Sequence, residues 1–131
     1  MAELNWRRRS KRFTPASYTA NETTALFNVA SGDLIGPVFA RVATAFDGTG
    51  GRTISLGDDS DVDRFMTTTV GDVSTAAVLT GVGGTGTNYL LIGQHLYTAA
   101  DTIDVVFTAA TGGSPTAGVV VVTIYVAKLS L

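Results

Sequence analysis

The 131-residue chain has no cysteine, which excludes disulfide bridges and thiolate metal sites. Charged residues make up only 15% of it, and no apolar run approaches the roughly 20 residues that cross a bilayer. The basic residues near the start are not followed by the apolar segment of a signal peptide. We therefore expect a soluble protein made in a cytoplasm, with no membrane partner. Its length fits a single domain.

Helical periodicity is also missing, and the charges are unevenly distributed. Five of the nine Lys and Arg residues lie in the first twelve positions, whereas ten acidic residues face four basic ones from Phe13 onward. Residues 1–23 show neither a helical nor a strand period. The sequence thus predicts two parts: an extended basic N-terminal arm over residues 1–23 and an acidic folded domain over residues 24–131.

The folded domain shows the alternation of apolar and polar residues that is typical of strands. Turn signals recur at intervals near ten residues, and Pro37 should begin a strand or lie on a sheet edge. The pattern predicts an all-β fold, an antiparallel two-sheet β-sandwich of the jelly-roll type. The predicted strands cover residues 24–30, 34–46, 52–56, 73–80, 89–97, 102–107 and 119–129.

Two of these strands, 34–46 and 119–125, are apolar on both faces. One face can enter the core, and the other must meet a second subunit or solvent. We predict an oligomer interface there, with exposed small residues as the alternative. A trimer is favoured over a dimer. The interface residues are Phe39, Ala43, Val119, Val121 and Tyr125.

The motifs that suggest catalysis lack the context they need. The G-x-G-x-x-G run at residues 81–86 precedes a strand-like segment instead of the helix that would hold a dinucleotide, so it is read as a loop. His95 is the only histidine, and no nucleophile motif accompanies it. Strand alternation places Asp104 on the outer face, away from a carboxylate pair with Asp101. We predict no enzyme, no catalytic residue and no cofactor.

Residues 57–63 form an acidic loop that partly matches the start of a calcium-binding loop. Arg64 occupies the position of the required glycine, and Val70 occupies that of the bidentate acid, so an EF-hand is excluded. A solvated loop is the preferred interpretation, with no metal. The alternative is a shallow calcium site built from Asp58, Asp59, Asp61 and Asp63.

The basic arm is the feature that calls for a partner. Nucleic acid would be held only weakly and without sequence preference, because the cations lack a folded platform. A disordered solubilising tail is a second alternative. We favour an acidic protein surface, since aromatic residues bracket the charges and can anchor in apolar pockets. The predicted partner-binding residues are Trp6, Arg7, Arg8, Arg9, Lys11, Arg12 and Phe13.

Several stretches resemble small virion proteins of tailed bacteriophages, most closely capsid decoration (cement) and other head-accessory proteins. They are Val38–Gly48, Thr53–Asp58, Asp63–Met66, Tyr97–Ile103 and Ala117–Val126. The resemblance spans about residues 34–128 and does not include the basic arm. The resemblance lies in the pattern of residues and in these short runs of sequence, and it includes no catalytic signature.

The resemblance implies a β-sandwich or jelly-roll structural protein on the capsid exterior of a virion. Such a protein would bind the major capsid protein of a phage shell as a homo-oligomer and stabilise it, here with the arm draped over the shell. A phage tail, fibre or baseplate component is an alternative within the same family of functions. A carbohydrate-binding module is an alternative of another class, although residues 24–131 contain no tryptophan to line a sugar-binding groove.

Overall fold

Strands dominate the protein in its computed structural model, which describes residues 4–18, 21–80, 95–109 and 115–130. The strands in these ranges are β1 (Arg7–Phe13), β2 (Glu22–Val29), β3 (Asp33–Thr44), β4 (Arg52–Gly57), β5 (Val78–Thr80), β6 (His95–Leu96), β7 (Asp101–Ala109) and β8 (Val119–Lys128). They pair only in antiparallel fashion, and none of the described residues is helical.

The strands form two sheets. The larger sheet has the order β1-β8-β3-β5, with β6 also paired to β3, and the smaller sheet has the order β2-β7-β4. The first four strands therefore alternate between the sheets, which binds the two layers together. This confirms the prediction of an all-β, two-sheet antiparallel sandwich.

The core lies between the two sheets and follows the two-residue period of the strands. On β8 the inward positions Val120, Val122 and Ile124 are fully buried, and on β7 the inward positions include Ile103 and Phe107. Burying one such side chain contributes about 1.5–3 kcal/mol, so these two strands provide a large part of the stability.

An aromatic cluster closes one end of the core. The Phe46 and Phe107 rings stack with centroids 5.3 Å apart, and Tyr18 packs against both. Gly118 lies directly under the Phe46 ring: a Cβ atom at this position would come within 2.4 Å of a ring carbon. This close approach requires glycine at the start of β8.

Strand β3 is a central strand, hydrogen-bonded to β8 on one side and to β5 and β6 on the other. The prediction that a strand begins at Pro37 or runs along an edge is therefore wrong. The register with β8 shifts between Ile35 and Val38, so Pro37 lies in a bulge. Its missing N–H group is tolerated there because the ladder is already interrupted.

The basic segment differs from the predicted free arm. Arg7–Phe13 is strand β1, paired with β8 from Arg7↔Val126 to Phe13↔Val120, and the next strand already begins at Glu22. A run of cations can form a strand at this position because it lies at the end of the described sheet, where long side chains reach solvent on both sides.

Two other predicted strands differ from the structure or lie partly outside it. Of the predicted strand 73–80, only Val78–Thr80 is a strand paired with β3. The preceding segment lies beside β4, joined to it by one isolated bridge at Asp72 and by the hydrogen bond from the Val73 N–H to the Arg52 carbonyl. The predicted strand 89–97 and the glycine-rich run 81–86 fall largely on residues outside the described ranges. Within those ranges, His95–Leu96 is a strand.

A candidate docking face on the larger sheet

Strand β1 places part of its charge on the outer face of the larger sheet. Arg8 pairs with Tyr125 and Arg12 pairs with Val121 across β8, and paired residues point to the same side of a sheet. Between the two arginines, the Ser10 hydroxyl lies 2.8 Å from the hydroxyl of its cross-strand threonine. Exposed arginines and the outward residues of β8 therefore share one surface.

Trp6 packs onto this surface instead of extending into solvent. Its ring lies over Gly36, where a Cβ atom would come within 2.8 Å of a ring carbon, and 39% of the residue stays exposed. Pro37, Phe39 and Tyr125 line a groove together with Trp6. The Phe39 and Tyr125 rings meet edge to face, with centroids 6.3 Å apart, a favourable arrangement for two aromatic rings.

All five residues of the predicted oligomer interface lie on the same side. They are half-buried and alternate with core residues along β3 and β8. We call the combined surface the aromatic face. It consists of Trp6, Pro37, Phe39, Ala43, Val119, Val121 and Tyr125. The predicted oligomer interface and part of the predicted partner-binding arm are thus one continuous surface, which sequence patterning did not reveal.

Exposed arginines flank the aromatic face. Val121 is paired on one side with Arg12 of β1 and on the other with Arg41 of β3, and Arg8 lies beside Tyr125. Among the described residues, none of these three arginines forms a salt bridge. Beyond Arg41 the row ends at Val78, which is 63% exposed. The surface therefore has Arg8 and Arg12 along its β1 side and Arg41 within it, between Phe39 and Ala43 on β3.

The remaining residues of the predicted arm point to the other side of β1. Phe13 is 3% exposed and belongs to the core, so it is not available to a partner. The Arg9 guanidinium lies 5.1 Å from the centroid of the Phe27 ring and donates a hydrogen bond of 2.9 Å to the Asn28 carbonyl. Arg9 therefore closes the open side of the sandwich between β1 and β2.

A second cationic surface lies at the end of β1. A cleft there is lined by Asn5, Arg7, Arg8, Arg9, Asp33, Val126 and Lys128. Lys128 is partly neutralised, because its ammonium group lies 3.1 Å from an Asp33 carboxylate oxygen and also donates to the Ser31 carbonyl. The cleft is continuous with the aromatic face through Arg8.

The acidic loop is built around one buried carboxylate. Asp58 is 1% exposed and accepts hydrogen bonds from the Arg64 Nε at 2.6 Å and from the Tyr97 hydroxyl at 2.9 Å. The Ser60 backbone and hydroxyl and the Asp61 backbone N–H also donate to it. These contacts hold the loop against the segment that follows β6.

The contacts of Asp58 determine its ionisation. Burial on its own would raise the pKa of Asp58, but hydrogen bonds from Arg64, Tyr97 and Ser60 outweigh it and lower the pKa to about 2. Burial and the neighbouring carboxylate raise the pKa of Tyr97. Burial and the Arg64 charge lower the pKa of His95, whose ring packs 4.7 Å from that of Tyr97. At neutral pH the cluster is therefore a carboxylate–guanidinium pair with a neutral phenol and imidazole.

The loop does not bring the four aspartates of the alternative calcium site together. Asp58 is turned inward to Arg64 and Tyr97, while Asp59 and Asp63 are exposed. A hydrogen bond with Asp61 raises the pKa of Asp63, which indicates that these two carboxyl groups lie close together. Within residues 4–18, 21–80, 95–109 and 115–130, no three acidic or histidine side chains are arranged to hold a metal ion.

Asp104 faces outward from β7, as strand alternation predicts, because its neighbours Ile103 and Val105 are fully buried in the core. It is nevertheless only 8% exposed. Burial raises its pKa, although the Thr102 hydroxyl donates a hydrogen bond of 2.7 Å to it. The outer face of the smaller sheet is otherwise rich in threonine and has no counterpart of the aromatic face among the described residues.

No helix that could span a membrane occurs in the described ranges. No protein-family model matches the chain, and no curated protein matches it. Solved structures match the chain. A chain in the capsid asymmetric unit of cyanophage Pam1 aligns with a TM-score of 0.62 and 16% identity, covering 96% of this chain and 85% of that one.

A chain in the acidic stable capsid structure of the Helicobacter pylori bacteriophage KHP30 aligns with a TM-score of 0.56 and 13% identity. The alignment covers 93% of this chain and 95% of that one. At this level of identity the two likenesses show a shared fold over nearly the whole chain.

Proposed function

We propose that the protein is a structural virion protein that binds the outside of a phage capsid shell and stabilises it as a decoration protein. The observation that carries this proposal is the fold, which the chain shares over 96% and 93% of its length with chains found in two phage capsids. The strand order supports the jelly-roll version of the sandwich, because β1, β8 and β3 alternate with β2, β7 and β4 between the sheets.

The aromatic face is the surface that suits such a partner. Trp, Tyr, Phe and Arg are enriched at protein–protein interfaces, where they supply large contact areas and charge-assisted hydrogen bonds. A rigid sheet presents them here at low entropic cost. Many copies bound to one shell would add their modest individual contacts, which makes a small protein an effective clamp.

A structural role without catalysis is part of the proposal. The buried groups of Asp58 and Tyr97 and the half-buried Arg64 satisfy one another, so they hold a loop in place. The only histidine packs against this cluster, and its lowered pKa keeps it neutral.

The proposal is tested by mixing the purified protein with empty shells assembled from the major capsid protein of the same phage. Co-sedimentation should be saturable, and cryo-electron microscopy should show added density on the shell exterior. Trp6→Ala should weaken binding, whereas Val62→Ala, which removes an exposed apolar side chain from the acidic loop, should not. If the protein is recovered only with purified tails and never with heads, the tail, fibre or baseplate alternative replaces this proposal.

A carbohydrate-binding module is the second candidate, and one specific observation favours it. The sequence offers no tryptophan within the predicted domain, but the structure brings Trp6 onto the sheet beside Phe39 and Tyr125. Aromatic rings that line a shallow groove can stack on sugar rings. Specific hits on a glycan array that Trp6→Ala abolishes would support this candidate, and an array without hits would remove it.

A further inference from the structure

A partner that covers the apolar residues of the aromatic face also covers or closely approaches its arginines. Across the sheet, one row of paired residues reads Arg12, Val121, Arg41 and Val78. An occupant that removes Val121 from water therefore also covers or closely approaches the guanidinium groups on both sides of it. The next row, Ser10, Thr123 and Phe39, carries no charge. The pair Arg8 and Tyr125 beyond it again places a cation beside an apolar ring.

This arrangement sets a chemical requirement on the occupant. A guanidinium that loses water without gaining a carboxylate is strongly unfavourable, whereas a paired one tolerates partial burial. Within the described residues, Arg8, Arg12 and Arg41 have no acidic partner of their own. The covering surface must therefore carry carboxylates as well as apolar groups.

Three occupants from this chain itself do not meet the requirement. A second copy related by a two-fold axis would present the same face, so that arginines would oppose arginines. Residues 81–94, which follow β5 along the chain, contain no Asp or Glu in their sequence. A head-to-tail contact with the acidic loop of another copy would supply carboxylates and can close into a ring. Among the described residues, however, this loop exposes only one large apolar side chain, Val62, which is too little to cover the aromatic face.

We infer that the aromatic face and its arginines Arg8, Arg12 and Arg41 form one docking surface for an apolar, carboxylate-bearing surface of a different protein, and that it is not the seam of a homo-oligomer. This inference rests on the proposed function, because the partner it describes is the capsid subunit. It reassigns the predicted oligomer interface, since the same residues cannot serve a trimer and a shell at once.

The test compares two variants that change the formal charge equally. Arg12→Gln/Arg41→Gln removes two cations from the docking surface, and Thr23→Glu/Ala25→Glu adds two acids at exposed positions of β2 on the smaller sheet. Binding to the shells is measured in about 0.05 M and about 1 M NaCl, where the Debye length falls to about 3 Å. Thermal unfolding of both variants checks that they are folded, and Arg8→Gln/Arg41→Gln replaces the first variant if it is not.

We expect Arg12→Gln/Arg41→Gln to bind shells roughly tenfold more weakly than the wild type at low salt, with little difference at high salt. The control variant should bind within about twofold of the wild type. In sedimentation velocity the wild type should be monomeric at concentrations that saturate the shells.

Two results would overturn the inference while the proposed function stands. One is wild-type shell binding that the two arginine substitutions leave unchanged. The other is a wild-type oligomer, closed or head-to-tail, that Val121→Arg dissociates. A wild-type protein that binds no shells at any salt concentration would instead remove the proposed function, and with it this inference.

Discussion

The Asp58 side chain holds the acidic loop together and joins it to the segment that follows β6. Arg64 comes from the end of the acidic loop, Tyr97 follows β6, and Ser60 lies within the loop itself. Gly57, just before Asp58, lies so close to the backbone of Asp61 and Val62 that a side chain would not fit. The loop is therefore a packed structure that depends on one carboxylate.

We expect Asp58→Asn to lower the free energy of unfolding at neutral pH by about 2–3 kcal/mol, because Arg64 and Tyr97 lose a charged partner. Urea unfolding followed by circular dichroism measures this loss. Asp59→Asn is the matched control: this neighbour is exposed, and its substitution should change the stability by less than about 0.5 kcal/mol. Equal effects of the two substitutions would show that the contacts of Asp58 do not stabilise the fold.

The pKa of Asp58 also predicts how the free energy of unfolding depends on pH. The pKa of Asp58 is about 2 in the folded protein, below the ordinary value of 3.8. The stabilisation is therefore complete above pH 3.8, declines as the pH falls toward 2, and is lost below it. The stability difference between wild type and Asp58→Asn should shrink over this window. A difference that is constant from about pH 5 to about pH 2 would contradict the assignment.

Trp6 offers a second prediction at the scale of the residue, because it is the only tryptophan and reports on the aromatic face alone. Gly36→Ala places a methyl group within 2.8 Å of the present ring position and should push the indole outward. The tryptophan emission should shift to longer wavelength and become easier to quench with iodide. Gly51→Ala is the control, since that glycine has open space around it, and it should leave the emission unchanged.

At the scale of the element, β1 both completes the larger sheet and supplies the charges of the docking surface. Its inward residue Phe13 is part of the core, and Arg9 covers Phe27 of the smaller sheet. Its cations also discourage pairing between the β1 strands of two molecules, because arginines would face one another. Stability and recognition are therefore coupled in this strand.

Removal of residues 1–13 should therefore destabilise the domain instead of releasing a free arm. We expect a fall in the midpoint of thermal unfolding of at least about 10 °C, since a core phenylalanine and a whole strand are lost. Removal of residues 1–5 keeps β1 and should change the midpoint by less than about 2 °C. A folded, fully stable protein after the longer truncation would show that β1 does not support the sandwich.

Sequence patterning predicted the strands that have one side against the core. It failed for β1, where the position of the strand in the sheet, and not the order of its residues, decides which side chains are tolerated. Strand β7 alternates because one side faces the core, and β3 and β8 were predicted as apolar runs bounded by turn signals. In β1, the positions that point toward the core side are Arg7, Arg9 and Lys11, and their charges hide the period. These charges are tolerated because β1 lies at the end of the described sheet. The residues of β1 alone do not show that position.

The same reasoning explains what was missed at the candidate site. The apolar outer faces of β3 and β8 were visible as strands with two apolar sides. The position of Trp6 was not, because it depends on a glycine thirty residues away along the chain, Gly36, that leaves room for an indole. The pairing of β1 with β8 then joins part of the predicted partner-binding arm and the predicted oligomer interface into one surface.

On the scale of the whole molecule, the two outer faces differ in chemistry. The larger sheet presents aromatic side chains and arginines, and the smaller sheet presents threonines with Asp104 among them. A cationic face opposite a polar face of little charge gives the molecule an orientation in the field of an acidic partner. A protein that docks through its basic face on an acidic surface leaves a polar, weakly acidic face toward solvent.

This orientation is testable because the chain contains no cysteine. Ala43→Cys places a thiol on the aromatic face, and Ala25→Cys places one on the outer face of the smaller sheet. In the free protein both thiols should react with a maleimide. On shells, we expect labelling at position 43 to slow at least about tenfold while labelling at position 25 stays unchanged, because only the first face is covered. Protection at position 25 alone would place the smaller sheet against the shell and remove the aromatic face from the interface.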